Sequence, residues 1–173
     1  MIGNKLKIQK GFTLTELLVV LAIIGVISTM VFANYRQGEK QFSLQRSSFA
    51  VGQNIRNAQN MAMGAVTVGG SVPTGYGIYF DISNPGQYVV FADEGDGLYG
   101  AEDIDIETFQ LEAGVNITNL SPASPLSIVF YPPDPSTVIL GNPVTTSCSI
   151  SLNYDGGLGK TVSVNKVGLI EVQ

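Results

Sequence analysis

Histidine is absent from the 173 residues of the chain, and cysteine occurs once, at Cys148. Without histidine there is no imidazole for a metal site, and no general base for Ser-His-Asp or Cys-His catalysis. One cysteine forms neither an intramolecular disulfide nor a multi-cysteine zinc site, so it does not indicate the redox compartment. Cys148 lies in an alternating run, which predicts a small strand residue rather than a reactive thiol.

Charge is also scarce, at 13% of residues against 45% hydrophobic residues. This composition argues against a disordered chain, and the length is enough for one domain with a core of its own.

Cations are missing from the body of the chain. From residue 57 to residue 159 there is no lysine or arginine against eleven acidic residues, and the net charge of the chain is −5. Binding to nucleic acid needs clustered cations that neutralise phosphates. Only Lys160 and Lys166 could meet a phosphate near the C-terminus, so nucleic acid is not an expected partner.

A long apolar run lies near the N-terminus. Leu17–Tyr35 holds 19 uncharged residues, about 28 Å as an α-helix, which matches the hydrocarbon core of a bilayer. Lys5, Lys7 and Lys10 precede the run and, by the positive-inside rule, place the N-terminus in the cytoplasm and the rest outside. A secretory signal peptide is the simpler interpretation. Its apolar region is usually shorter, about 7–15 residues, and no small-x-small site closes this run.

Glu16 places a carboxylate at the start of this apolar segment, and no cation lies within the run. A carboxylate inside a membrane segment costs about 3 kcal/mol and usually needs a partner. Two interpretations stay open. Either the side chain reaches the cytoplasmic interface, or its partner comes from another molecule or a newly made N-terminus.

The segment from Lys10 to Leu17 reads Lys-Gly-Phe-Thr-Leu-Thr-Glu-Leu and runs into the apolar stretch. It resembles the N-terminal signal of type IV prepilins and type II secretion pseudopilins. The resemblance implies that a prepilin peptidase cleaves after Gly11 and N-methylates Phe12. It also implies that Glu16 aligns subunits by pairing with the Phe12 amine of a neighbour. Many members of the family carry a helix-kinking proline where this chain has Ala33, so a kink there is not expected.

A looser resemblance, to GspH/FimT-type minor pilins and pseudopilins, extends into the C-terminal part. It rests on residues 56–62, 75–80 and 89–93 and on the closing hairpin. Some members of that group bind DNA through a basic C-terminal loop. Because the corresponding region offers only Lys160 and Lys166, this activity is not expected here.

The pattern predicts an α+β fold: one long helix from about Thr13 to about Met63, followed by an antiparallel sheet or small sandwich. The second half of the helix is predicted to be amphipathic, with Phe42, Phe49, Ile55, Ala58 and Ala62 on its apolar face. We expect a leader peptide at 1–11, a transmembrane and assembly helix at 12–35, an amphipathic helix at 36–64 and a globular domain at 65–173.

Eight or nine strands are predicted in the C-terminal part, from nine short runs rich in β-branched and aromatic residues. The turn Ser83–Gly86 marks a hairpin between the first two strands. The predicted strands are Tyr76–Asp81, Gln87–Asp93, Ile106–Glu112, Val115–Asn119, Leu126–Tyr131, Thr137–Leu140, Ser147–Asn153, Lys160–Asn165 and Gly168–Val172.

Six carboxylates lie within the thirteen residues 93–105, interspersed with glycines. Calcium prefers several oxygen ligands from such a loop, so Asp93 and Asp96 are candidate ligands, although the EF-hand spacing is not met. The alternative is a solvated acidic loop between two strands. No other cofactor is expected.

The sequence therefore favours a structural subunit, a minor pilin or pseudopilin, of a bacterial type IV pilus or type II secretion pseudopilus. Its expected partners are other such subunits, the prepilin peptidase and the cytoplasmic (inner) membrane, with the N-terminus cytoplasmic and the globular domain outside. No catalytic residue is assigned, and the protein is predicted not to be an enzyme. Two alternatives stay open: an uncleaved, membrane-anchored binding module, and an exported enzyme whose mature chain begins beyond Ala33.

Overall fold

The computed structural model describes residues 11–133, 136–140, 146–155 and 157–173, without the side chains of residues 33–36. Residues 1–10 of the predicted leader, with its three lysines, lie outside this range. The chain forms two compact units, Met1–Glu39 and Lys40–Gln173. The predicted boundaries at 11/12, 35/36 and 64/65 stay predictions.

One helix, α1, spans Leu14–Gly64 and confirms the predicted helix to within one residue at each end. The Thr13 hydroxyl caps its N-terminus by accepting a hydrogen bond from the Glu16 amide at 3.2 Å. At the C-terminus Ala65 adopts φ 43°, and the Val66 amide bonds back to the Met61 carbonyl. This is the geometry of a Schellman cap, with alanine where glycine is usual.

The N-terminal part of α1 is apolar on all sides. Every described side chain from residue 11 to residue 32 is exposed. The helix contains an 18-residue window with a mean hydropathy of 2.5, long and apolar enough to cross a membrane.

All nine predicted strands are present, with shifts of up to two residues at their ends, and all pair antiparallel. They form a five-stranded sheet in the order β3-β2-β1-β5-β6 and a four-stranded sheet in the order β4-β7-β8-β9. The strands are β1 Gly75–Phe80, β2 Gln87–Asp93, β3 Ile104–Gln110, β4 Val115–Ser121, β5 Leu126–Tyr131, β6 Ser136–Ile139, β7 Ser147–Tyr154, β8 Leu158–Asn165 and β9 Ile170–Val172.

The second half of α1 and the two sheets share one hydrophobic core. The helix contributes a narrow stripe of buried side chains at spacings of seven, four, three and four residues. The sheets contribute alternate residues, such as Ile78 and Phe80 from β1 and Ile150 and Leu152 from β7. The buried stripe of the helix consists of Leu44, Val51, Ile55, Ala58 and Ala62.

The predicted placement of Phe42 and Phe49 in this stripe is wrong: their side chains are 62% and 55% exposed. At about 100° per residue, both lie roughly 140–160° around the helix from Leu44. Their spacing of seven residues keeps them together, but on the opposite face. Leu44 and Val51 occupy the core positions instead.

Three helix cations hold this part of α1 to three different β segments. Arg46 forms a two-pronged ion pair with Glu112, with nitrogen–oxygen distances of 3.1 and 3.2 Å. The ammonium of Lys40 lies 5.3 Å from the ring centre of Tyr154. Arg56 donates to the Ile170 carbonyl at 3.4 Å. The hydrogen bond from Arg46 lowers the pKa of Glu112.

We predict that Ile55→Ala destabilises the C-terminal unit by about 2–5 kcal/mol, because it leaves a cavity where the side chain is fully buried. Phe49→Ala, on the exposed face of the same helix, is the matched control and should change stability little. Unfolding of the full chain in detergent, followed by near-ultraviolet circular dichroism against urea, measures both. Equal losses from the two variants would contradict the placement of the stripe.

Candidate functional site: the N-terminal segment and the acidic loop

The residues at the predicted processing site lie just before α1. Gly11 and Phe12 have no regular secondary structure, and Phe12 is 82% exposed. A Cβ atom added at Gly11 would meet no atom within 4 Å among the described residues. The fold of the described residues therefore does not require glycine at this position. An external requirement, such as the active site of a processing enzyme, is consistent with this.

Glu16 lies in the first turn of α1, and its side chain is exposed. Its amide donates a hydrogen bond to the capping hydroxyl of Thr13. The positive end of the helix dipole favours a carboxylate at this position. Within the part of the chain that the structure describes, no cation is within ion-pair distance of Glu16. The carboxylate is therefore available to a partner outside this part of the chain.

The side chains that follow Glu16 present apolar surface around the helix. Leu17, Ile24 and Val31, at intervals of seven residues, are 58%, 54% and 62% exposed. Leu21 and Met30, on other faces, are 60% and 74% exposed. A helix that is apolar all round is suited to lipid or to other helices, and not to a single protein face.

The second candidate region is the acidic loop, residues 94–103, which joins β2 to β3. Carboxylates in the loop, and that of Asp93 at the end of β2, accept hydrogen bonds from the backbone of the loop. Asp93 Oδ1 accepts from the Gly97 amide at 2.9 Å, and Asp96 Oδ1 accepts from the Leu98 amide at 2.9 Å. Asp103 accepts from the amides of Glu94 and Gly100, at 3.1 and 2.8 Å. These hydrogen bonds stabilise the conformation of the loop.

Asp93 is fully buried at the base of the loop, and its Oδ2 atom has no hydrogen-bond partner among the described residues. Burial raises the pKa of Asp93, the Gly97 amide opposes this rise, and the charges of Asp103 and Asp96 add to it. The Tyr131 hydroxyl interacts with the carboxylate, since each group shifts the pKa of the other, but it does not complete a hydrogen bond with Oδ2.

Tyr99 anchors the loop to the face of the five-stranded sheet that points away from the shared core. Its ring lies 4.5 Å from the ring of Tyr79 and 5.1 Å from that of Phe91, centre to centre. Its hydroxyl donates to Asp105 at 2.8 Å, and its amide donates to the Ser127 hydroxyl at 3.1 Å. Burial and Asp105 raise the pKa of Tyr99 to about 12. This anchor was not predicted from the sequence.

Glycine is required beneath this aromatic cluster. A Cβ atom at Gly77 in β1 would lie 2.4 Å from the ring of Phe91 and 3.0 Å from Val129. Phe91 can therefore lie flat across β1 only because residue 77 has no side chain. Tyr99 and Phe91 therefore lie over Tyr79 and Gly77 of β1 on this face of the sheet.

The structure does not assemble a metal-binding set from the acidic residues. Among the described residues, no group of three or more Asp, Glu or Cys side chains converges in a way that could hold a metal ion. Asp93 and Asp96 are close enough for their charges to interact, but each directs one oxygen to a backbone amide. A calcium site at Asp93 and Asp96 stays a hypothesis beside the solvated acidic loop, and the calcium titration described below distinguishes the two.

Cys148 occupies β7 and is buried. Burial raises the pKa of its thiol to about 12, so the thiolate that a nucleophile or metal ligand requires is not populated near neutral pH.

Comparisons with known proteins bear on the N-terminal segment. A family model described as "Prokaryotic N-terminal methylation motif" matches residues 6–32. The chain is also similar to "Type IV major fimbrial protein FimA" of Dichelobacter nodosus, with 38% identity over 69 residues. That match covers 39% of this chain and 43% of the fimbrial protein, so it spans less than half of either. No solved structure matches.

Both matches support the resemblance to type IV pilins, with the methylation motif, the apolar helix and the α+β fold in agreement. Neither match identifies the GspH/FimT-type group within them.

We predict that millimolar calcium leaves the thermal midpoint of the full chain unchanged, because the loop carboxylates already accept amide hydrogen bonds. Differential scanning fluorimetry in detergent, with magnesium as the ionic control, measures this midpoint. A saturable rise with calcium alone, lost when Asp93 and Asp96 are both replaced by alanine, would instead establish a calcium site, since a ligand that binds only the folded state stabilises it by mass action.

Proposed function

We propose that this protein is a structural subunit of a bacterial type IV pilus or type II secretion pseudopilus. In this proposal it is made as a prepilin, processed by a prepilin peptidase and assembled through its N-terminal helix. The observation that carries the proposal is the methylation motif at residues 6–32, which runs into the N-terminal part of α1, where every described side chain up to residue 32 is exposed. The fimbrial relative supports the same class.

The processing step is cleavage between Gly11 and Phe12, followed by methylation of the new Phe12 amine. Both residues precede the helix, and among the described residues neither makes a hydrogen bond that cleavage would break. The cap at Thr13 lies C-terminal to the cut, so α1 keeps its first turn after processing. The protein is then the substrate of an enzyme and has no catalytic role of its own.

In the membrane the apolar half of α1 lies among lipid chains, with the N-terminus cytoplasmic and residues 40–173 outside. Lipid is as apolar as leucine, so leaving it for a filament gives no hydrophobic gain. Close packing of neighbouring helices and one specific polar contact must therefore favour assembly. Glu16 supplies that contact by pairing with the Phe12 amine of a neighbour, which neutralises two charges in apolar surroundings.

The alternative is a membrane-anchored binding module that keeps its leader. This alternative needs no cleavage and no role for Glu16 between molecules, so both of the following predictions distinguish it. Whether the filament is a pilus or a pseudopilus is distinguished by the neighbouring genes: a retraction ATPase and other pilins, or a secretin with a complete secretion operon.

We predict that the membrane-extracted protein begins with N-methylated Phe12, as read by mass analysis of its N-terminal peptide. Gly11→Val should block cleavage, because we expect the peptidase site to have room only for a residue without a side chain, and valine is branched. Gly25→Val, another glycine whose added Cβ atom meets nothing within 4 Å, is the control and should be cleaved normally. An intact Met1 in cells with an active prepilin peptidase would refute processing.

We predict that Glu16→Gln is inserted and cleaved, but that its recovery in sheared filaments falls at least tenfold. The glutamine keeps the size of the side chain and removes the charge that pairs with the neighbour's amine, which leaves that amine unpaired in apolar surroundings. Glu39→Gln, at an exposed position of the same helix, is the control. Immunoblots of shear and membrane fractions measure recovery. Equal recovery of Glu16→Gln and the wild type would exclude Glu16 from assembly.

A further inference from the structure

The turn between β8 and β9 carries an exposed apolar tip that neither the fold nor the proposed function uses. The tip is residues 166–169. Val167 in it is 79% exposed and Leu169 is 56% exposed, the first being the highest exposure of a large hydrophobic residue among the described residues of the C-terminal unit. Lys166, next to them, is exposed too. Adjacent apolar side chains that a fold leaves in water are typical of interaction surfaces.

The backbone of the tip is fixed in one conformation. Asn165 Oδ1 accepts hydrogen bonds from the amides of Val167, at 3.0 Å, and Leu169, at 2.9 Å. Gly168 has φ 78°, and a Cβ atom there would lie 2.4 Å from Gln59 Nε2, so the tip is seated against α1. A surface that is already ordered loses little conformational entropy when it binds.

A surface that binds the tip must accommodate the ammonium group of Lys166 next to the side chains of Val167 and Leu169. The acidic loop offers a depression of about 370 Å³ that is lined by Glu94, Asp96, Glu102 and Asp103 together with glycine and alanine. The chain has no lysine or arginine from residue 57 to residue 159, and Lys166 belongs to the short basic part that follows. The two surfaces are therefore opposite in charge.

The two surfaces lie on different sides of the C-terminal unit. The acidic loop lies over the face of the five-stranded sheet that points away from the core, where Tyr99 contacts Tyr79 in β1 and Ser127 in β5. The tip lies against α1 on the core side of the same sheet, where a Cβ atom at Gly168 would be 3.5 Å from Thr137 Oγ1 in β6. Within one molecule the sheet therefore lies between the two surfaces. A contact between two different surfaces of identical molecules is heterologous, and it can repeat along a helical assembly.

We propose that the tip of one subunit docks on the acidic loop of a second copy of this chain. Lys166 faces the carboxylates of the loop, and Val167 and Leu169 cover its rim. Charge complementarity of this kind fixes the choice of partner and the register more than it adds affinity. This inference rests on the proposed function, because the assembly supplies the local concentration that a small contact needs.

Disulfide trapping between two tagged copies of the full-length chain tests the contact. One copy carries Val167→Cys and the other Glu102→Cys, both with Cys148→Ala, and sheared filaments are treated with a mild oxidant. We expect a cross-linked dimer that carries both tags. The control replaces Val167→Cys by Ile82→Cys, an apolar residue 40% exposed in the β1–β2 turn, and should give no dimer.

Charge exchange is a second test, independent of the cysteines. Lys166→Glu should lower recovery of the subunit in filaments several-fold, and adding Glu102→Lys to the same chain should restore it. Lys160→Glu, the other cation of this part of the chain, is the matched control. Rescue by the double variant would not follow from a role in folding alone.

The outcomes separate this contact from the proposed function. Filaments that contain the subunit but give neither the specific dimer nor the rescue would overturn the docking contact and leave the proposed function standing. Absence of the subunit from any filament, with no dimer in the membrane fraction, would overturn both.

Discussion

Burial of one narrow stripe of α1 under both sheets is the interaction on which the C-terminal unit depends. Leu44, Ile55 and Ala62 lie within about 20° of one line along the helix, so a single face reaches the core. Ser43, Ser47 and Ser48 flank the stripe and are buried too, and their small side chains let the sheets come close. The Ser47 hydroxyl accepts a hydrogen bond from the Glu112 amide, which ties the β3–β4 connection to the helix.

The same helix meets a different requirement before residue 33. There is no stripe in that part, because apolar side chains occupy every face and none is buried. A continuous helix satisfies its backbone hydrogen bonds in water, in lipid and between other helices alike. The side chains alone therefore decide the surroundings of each half: an apolar solvent or neighbouring helices for the first half, and the protein's own sheets for the second.

The sequence predicts secondary-structure elements better than it predicts which face of the helix is buried and which distant residues are in contact. The strands follow from runs of β-branched and aromatic residues between turn residues, and the helix follows from the absence of proline up to Pro73. Phe42 and Phe49 were predicted to be buried because their side chains are strongly hydrophobic. The angle around the helix decides which side chains reach the core, and it favours Leu44 and Val51. The anchor at Tyr99 could not be predicted, since it depends on the pairing of β1 with β2 that brings Phe91 over Gly77. Roles in processing and assembly could be predicted for Gly11, Phe12 and Glu16 because their motif is local, and these roles stay predictions.

The scarcity of cations explains how the acidic residues of the C-terminal unit are used. The C-terminal unit has five lysine and arginine residues against twelve carboxylates, and among the described residues the one ion pair is that of Arg46 with Glu112. Instead Asp93, Asp96 and Asp103 accept hydrogen bonds from backbone amides, which satisfies the oxygens without removing the charge. The negative field of the loop is therefore left for a partner outside the molecule. Because Lys40, Arg46 and Arg56 make contacts within the domain and most carboxylates stay at the surface, the docking contact that we propose directs Lys166 to the acidic loop.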